Sequence, residues 1–234
     1  MLLPARLTKG ELTTLIGQGG LGKTRLALWL AICQILGRLW CGLETGGDLV
    51  KWLFLGDENS IARLKEDLRR VFSTLTPKES ARVDEFLRLP ALVEMDDCDV
   101  WLGDPVTQAR IAATPETEKP GAIVADPLAN FALGDISKPG KMKEAIRTLL
   151  GIIRPVTPKA AVMLLHHAWT GCQNITQGIG WDAANFASGG KALFAAARCQ
   201  ACFPACATPQ PRHESRTPDI EPSKVRIFGH FPGI

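Results

Sequence analysis

The chain has 234 residues, 46% of them hydrophobic, which suits one α/β domain of generous size with its own core. A formal charge of +3 and a pI near 8.5 make it mildly basic, compatible with nucleic acid without pointing to it. The longest uncharged run in the helical region, Leu26 to Gly37, is twelve residues and too short for a bilayer, and Met1-Leu2-Leu3-Pro4-Ala5-Arg6 lacks the order of a secretory signal, so no membrane span and a cytoplasmic setting are expected.

Residues 1 to 10 lead into a first strand, Leu12-Thr13-Thr14-Leu15-Ile16, apolar and β-branched like a buried strand. Gly17-Gln18-Gly19-Gly20-Leu21-Gly22-Lys23-Thr24 follows and fits G-x-x-x-x-G-K-[ST], the phosphate-binding loop of nucleotide hydrolases. Its glycines permit positive φ, so several N–H groups can converge on one phosphate. Lys23 is expected at the β- and γ-phosphates and Thr24 on Mg²⁺. Arg25 to Leu36 holds no Gly or Pro and predicts a helix whose N-terminal end faces the same anion. The whole stretch Gly17 to Arg25 is therefore expected against the nucleotide.

Gly37 to Asp48, with Gly37, Gly42, Gly46 and Gly47, is a connection, and Leu49 to Leu55 is the next strand, stopping at Gly56. Asp57-Glu58-Asn59 then sits at a strand's carboxyl end, where open parallel sheets bind ligands. The helix predicted over 60–73 places Ile61, Leu64, Leu68 and Val71/Phe72 on one face, with Lys65, Arg69 and Arg70 solvated. Thr76-Pro77 opens another helix that ends near Leu87. A short strand is expected over Pro90 to Met95, an acidic turn over Asp96 to Asp99, a helix over Pro105 to Ala113, and a loop over Thr114 to Pro120.

Gly121-Ala122-Ile123-Val124-Ala125-Asp126 has the form of a Walker B strand, whose carboxylate would hold Mg²⁺ directly or through water. A loop over 131–140 and a helix over Lys141 to Ile153, with Ala145, Ile146, Leu149 and Leu150 inward, lead to a strand Ala160 to Leu165. That strand runs into His166-His167, two imidazoles at a core strand's carboxyl end. Residues 168–190 form a long glycine-containing loop with Trp169 and Trp181. A helix over Lys191 to Ala197, then Arg198, precedes a strand Cys199 to Phe203. Pro204 to Pro222 is proline-rich and reads as exposed, and Lys224 to Phe228 as a last edge strand.

Seven cysteines are consistent with a reducing compartment. Cys199, Cys202 and Cys206, with His213 beyond, have partial zinc-ligand spacing. The second C-x-x-C pair is missing and the neighbours are apolar, so buried thiols are the expected reading beside zinc.

The phosphate loop, "WLFLGDENS", "AIVADPLANF", "VMLLHHA" and "AAARCQ" occur in an order that resembles the RepA-like branch of RecA-type ATPases, which includes plasmid and phage replicative helicases. The resemblance covers about Gly10 to Phe203. It implies a single RecA-like P-loop domain over 1–234, with a core of about 10–203. The sheet would be mostly parallel, twisted and flanked by helices, with a C-terminal β extension over 204–234. It also implies a ring, commonly a hexamer, with ATP and Mg²⁺ bound between subunits and single-stranded DNA as partner. By resemblance Glu58 activates water and Asp126 is the Walker B carboxylate. His166 and His167 sense the γ-phosphate, and Arg198 is offered to a neighbour's nucleotide.

Two positions depart from that pattern. Thr170 stands where a Lys commonly follows the histidines, and Ala187-Ser188-Gly189-Gly190 replaces an "RGS"-like patch. Both remove positive charge where nucleic acid or nucleotide would be met. Three readings follow. The first is a helicase-type ATPase motor on single-stranded DNA. The second is an ATP-switched DNA-binding accessory of replication or recombination. The third is a small-metabolite kinase, which would need an arginine-rich lid that 134–141 does not offer.

Overall fold

The central strands are apolar along their length because both faces of the sheet are covered. The computed structural model describes residues 7–45, 49–56, 61–89, 102, 104–128, 139–167, 199–203 and 226–229. In chain order the elements are β1 (Leu12–Gly17), α1 (Lys23–Leu36), β2 (Trp52–Gly56), α2 (Ile61–Phe72), α3 (Pro77–Phe86) and β3 (Leu87–Arg88). They continue with α4 (Pro105–Glu118), β4 (Ala122–Asp126), α5 (Pro139–Val156), β5 (Ala161–His167), β6 (Cys199–Phe203) and β7 (Arg226–Gly229).

The strands form one sheet in the order β3-β2-β4-β5-β1-β6-β7. All pairings are parallel except β6 with β7. Alternation divides the core into two layers. Leu12, Ile16, Leu53, Leu55, Ile123, Ala125, Val162 and Leu164 pack under α4 and α5. Leu15, Trp52, Phe54, Ala122, Val124, Met163 and Leu165 pack under α1 and α3, with α2 resting on the same layer through Leu64, Leu68, Val71 and Phe72. Among the described residues, no helix is long and apolar enough to cross a membrane.

Local chemistry sets the helix ends. Gly37 (φ 68°) closes α1, its N–H bonding the Gln34 carbonyl while Arg38 N–H bonds that of Cys33. Thr76 and Glu79 cap α3 reciprocally, with Pro77 in the first turn. Cys33 and Cys41 are free thiols, and burial pushes Cys33 up to about 12, which keeps it protonated and inert.

Two expectations need correction, and one lies outside the described residues. The segment 114–120 is not a loop throughout, because α4 runs through Pro115 to Glu118. Pro115 cannot donate to the Ile111 carbonyl, yet it is buried. Beyond it, Glu118 receives Arg88 Nε at 3.1 Å and Lys51 Nζ at 3.5 Å, which hold the last turn against the sheet. The second strand starts at Trp52 and not at Leu49. The strand after α3 is Leu87–Arg88, placed by its pairing with Trp52 and Leu53, whereas 90–95 lies outside the described residues.

Candidate functional site at the carboxyl end of the sheet

β1 delivers the chain to the carboxyl edge at Gly17, and α1 leaves it at Lys23. In the connecting turn Gly20 (φ +77°) and Gly22 (φ +78°) are left-handed, and a Cβ on either would meet nothing within 4 Å. The backbone conformation, not lack of room, is what calls for glycine there. No side chain caps α1, and its first turn holds no acid. Its leading N–H groups and the positive end of its dipole are therefore presented to an anion.

Lys23 is only 6% exposed. Its ammonium donates to the Gln18 carbonyl at 3.0 Å and lies 3.4 Å from His167 Nδ1. An ammonium has donors only, so this contact needs the lone pair of a neutral imidazole. Thr24 Oγ1 donates to Asp126 Oδ2 at 2.5 Å, and Asp126 is 4% exposed. Thr24 stands in the first turn of α1, beyond the end of β1, and Asp126 ends β4, with β5 running between β1 and β4. One hydroxyl and one buried carboxylate, side by side at a strand end, form the oxygen donor set that suits a small hard cation carrying phosphate and water ligands.

The pleat decides which other residues reach this place. Gly56 pairs with Asp126, and a Cβ on it would stand 3.0 Å from the Asp126 carbonyl oxygen. Gly17 pairs with His167, so that imidazole emerges beside the phosphate loop, and a Cβ on Gly19 would come within 3.9 Å of Nδ1. His166 pairs with Ile16 and faces the opposite layer, fully buried on the side of α4 and α5. Of the two expected histidines, the structure brings one to Lys23 and sets the other beneath the sheet.

Arg25 belongs to the first turn of α1, but its side chain turns to α2. Nε and a terminal nitrogen meet the two oxygens of Asp67 at 2.8 and 2.7 Å. The hydrogen bond to Asp67 raises the guanidinium further above its ordinary value. Glu58 and Arg198 lie outside the described residues, as do Cys206 and the side chains of Cys199 and Cys202. Among the described residues no group of three or more His, Cys, Asp or Glu gathers to hold a metal. Sequence reasoning did not find Asp67, one acid among the polar residues of α2. It passed Gly56 as a mere stop, although a glycine ending an apolar strand beside a second strand that ends in Asp is a usable sign of close backbone approach.

Comparison with known proteins bears on the same region. The profile of a family described as "AAA domain" matches residues 1–170, which include the phosphate loop, Asp126 and His167. No curated protein matches the chain. Among solved structures, a KaiC-like protein from the hyperthermophilic archaeon Pyrococcus horikoshii OT3 is similar over 83% of this chain and 73% of its own, with a TM-score of 0.52 and 14% identity. At that identity the likeness speaks for the fold, a RecA-like α/β sheet.

Proposed function

The chain belongs to the AAA-domain family of RecA-like P-loop ATPases, and from that premise we propose that it hydrolyses ATP with Mg²⁺ at the carboxyl edge of its sheet. The observation that carries this reading is the convergence of Lys23, Thr24 and Asp126, with the Thr24–Asp126 contact spanning a strand. The loop amides and Lys23 bind the phosphates. Thr24 and Asp126 would hold Mg²⁺, which when bound offsets charge on the phosphate oxygens. Glu58 takes a proton from water, whose oxygen attacks the γ-phosphorus as the bond to the ADP oxygen breaks. His167, whose Nδ1 lies 3.4 Å from the Lys23 ammonium, registers the terminal phosphate in this reading, whereas His166 is buried in the other layer.

The finer reading follows the resemblance to RepA-like replicative helicases. The chain assembles as a ring, hexameric in that branch, and acts on single-stranded DNA. Arg198 reaches a neighbour's nucleotide, a contribution of about 10³- to 10⁵-fold in comparable enzymes. Thr170 and the absence of a basic residue over 187–190 favour a second reading, in which ATP switches DNA binding without unwinding.

One experiment separates these: ATP turnover with and without single-stranded DNA at low salt, with assembly mass measured in the same buffer. Stimulated turnover in a ring supports the motor. Turnover indifferent to DNA, with DNA binding that differs between ADP and a non-hydrolysable ATP analogue, supports the switch. Lys23→Ala should abolish turnover, and Glu58→Gln should bind ATP without cleaving it. Nucleotide-bound wild-type protein with no turnover overturns the hydrolytic reading.

A further inference from the structure

The first turn of α1 sends its arginine away from the phosphate loop. Arg25 meets Asp67 through two parallel hydrogen bonds of 2.8 and 2.7 Å, a bidentate geometry that fixes orientation as well as distance. The Asp67 side chain is 14% exposed, against 44% for that of Arg25. The carboxylate is thus set into the surface and the guanidinium lies over it. The neighbouring pairs on α2 are of another kind: Arg69 and Arg70 reach Glu66 within the same helix and stand out in solvent. Arg25–Asp67 is an ion pair between elements, and among the described residues it joins the turn directly after Lys23 and Thr24 to the middle of α2.

The position of α2 matters to the site. Its apolar side rests on the layer under α1 through Leu64, Leu68, Val71 and Phe72. Such packing is non-directional and permits a helix to slide. In the chain α2 directly follows the 57–60 segment that continues from Gly56, the residue paired with Asp126. One end of that connection is therefore set by the sheet and the other by α2.

We propose that Arg25 and Asp67 are positioning residues: a clamp that fixes α2 to the phosphate-loop helix and passes the state of the loop on to α2. Arg25 is then not a nucleotide ligand. The catalytic part of this inference rests on the ATPase reading, whereas the clamp itself does not.

The test uses the full chain and four variants: Arg25→Gln, Asp67→Asn, Arg25→Lys, and the exchanged pair Arg25→Asp with Asp67→Arg. Amide hydrogen exchange over 61–72 should quicken in the first two variants without nucleotide. It should recover largely in the exchanged pair, and only partly in Arg25→Lys, which cannot make the fork. In wild type, Mg·ADP should slow exchange over both 17–26 and 61–72. In the single variants it should slow exchange over 17–26 alone. Turnover should fall tenfold to about a hundredfold at unchanged KM, the scale of a displaced group.

Exchange over 61–72 that ignores both single substitutions overturns the clamp. So does loss of Mg·ADP binding in Arg25→Gln with a gain in Asp67→Asn, which would make Arg25 a ligand that Asp67 competes for. If the wild type fails to bind nucleotide, the ATPase reading falls and the nucleotide-free exchange still decides the clamp. If the exchanged pair fails to fold, Arg25→Lys against Arg25→Gln supplies the same comparison.

Discussion

Lys23 and His167 are 144 residues apart in the chain and 3.4 Å apart in space, ammonium nitrogen to Nδ1. The ammonium donates, so the imidazole must be neutral and accept. Replacing His167 with Leu should lower ATP turnover by about 10²-fold, the cost of one positioned polar group. Mg·ADP affinity should stay unchanged, because ADP lacks the terminal phosphate. Single-turnover hydrolysis and a fluorescence titration on one preparation check both halves.

Asp126 orients the Thr24 hydroxyl at 2.5 Å from a nearly sealed position. Asp126→Asn keeps the shape and removes the charge. The Mg²⁺ concentration for half-maximal turnover should rise tenfold to about a hundredfold, as when a metal site loses a supporting carboxylate. Excess Mg²⁺ should restore part of the rate. A Mg²⁺ titration decides it, and an unmoved midpoint would separate Asp126 from the metal.

Gly121 precedes β4 against Val50, and an added Cβ would sit 2.5 Å from the Val50 Cβ. Both flanking backbones are held, since Gly121 N–H and Ala122 N–H bond the Lys51 carbonyl at 3.0 and 3.2 Å. Gly121→Ala should cost about 1–3 kcal/mol by overpacking. Val50→Gly in the same chain should relieve part of that loss. Urea denaturation midpoints of the two variants measure it.

Glu79 accepts the backbone N–H and the hydroxyl of Thr76, each at 3.0 Å, and Arg38 at 2.6 Å. These bonds, Thr76 first and Arg38 after, hold its carboxyl below the usual range. Because the folded value is depressed, the stabilisation is full above the unfolded carboxylate range and is lost as pH falls through the folded value. The Tm gap between wild type and Glu79→Gln should therefore narrow from about pH 7 to about pH 3. A gap that widens on acidification would contradict the capping role.

Much of the fold was legible because its signals are local. The run Leu12 to Ile16, the glycine turn and the apolar helix after it each announce their conformation, and the structure repeats them as β1, the loop and α1. Thr76-Pro77 spelled a helix start, and the cap is there, with Glu79 completing it. The helix through Pro115 was illegible because Lys51 and Arg88, distant in sequence, hold its final turn at Glu118. The same applies at the site. Lys23 and Thr24 could be read from a motif. That His167 and not His166 meets Lys23 depends on the register of β5 against β1, and the Arg25–Asp67 pair on how two helices lie together. Neither relation exists within any short window of sequence.

The pleat at the tip of β5 has one more consequence. His166 and His167 are chemically identical and adjacent, yet one is fully buried in the layer under α4 and α5 and the other lies beside a charged amine. Adding or deleting one residue upstream in that strand would trade their places, carrying an imidazole out of the interior and leaving its twin to be swallowed by it. The tip of β5 is thus a ratchet tooth that fits in steps of two, and length changes in this part of the chain can be absorbed only outside the strand.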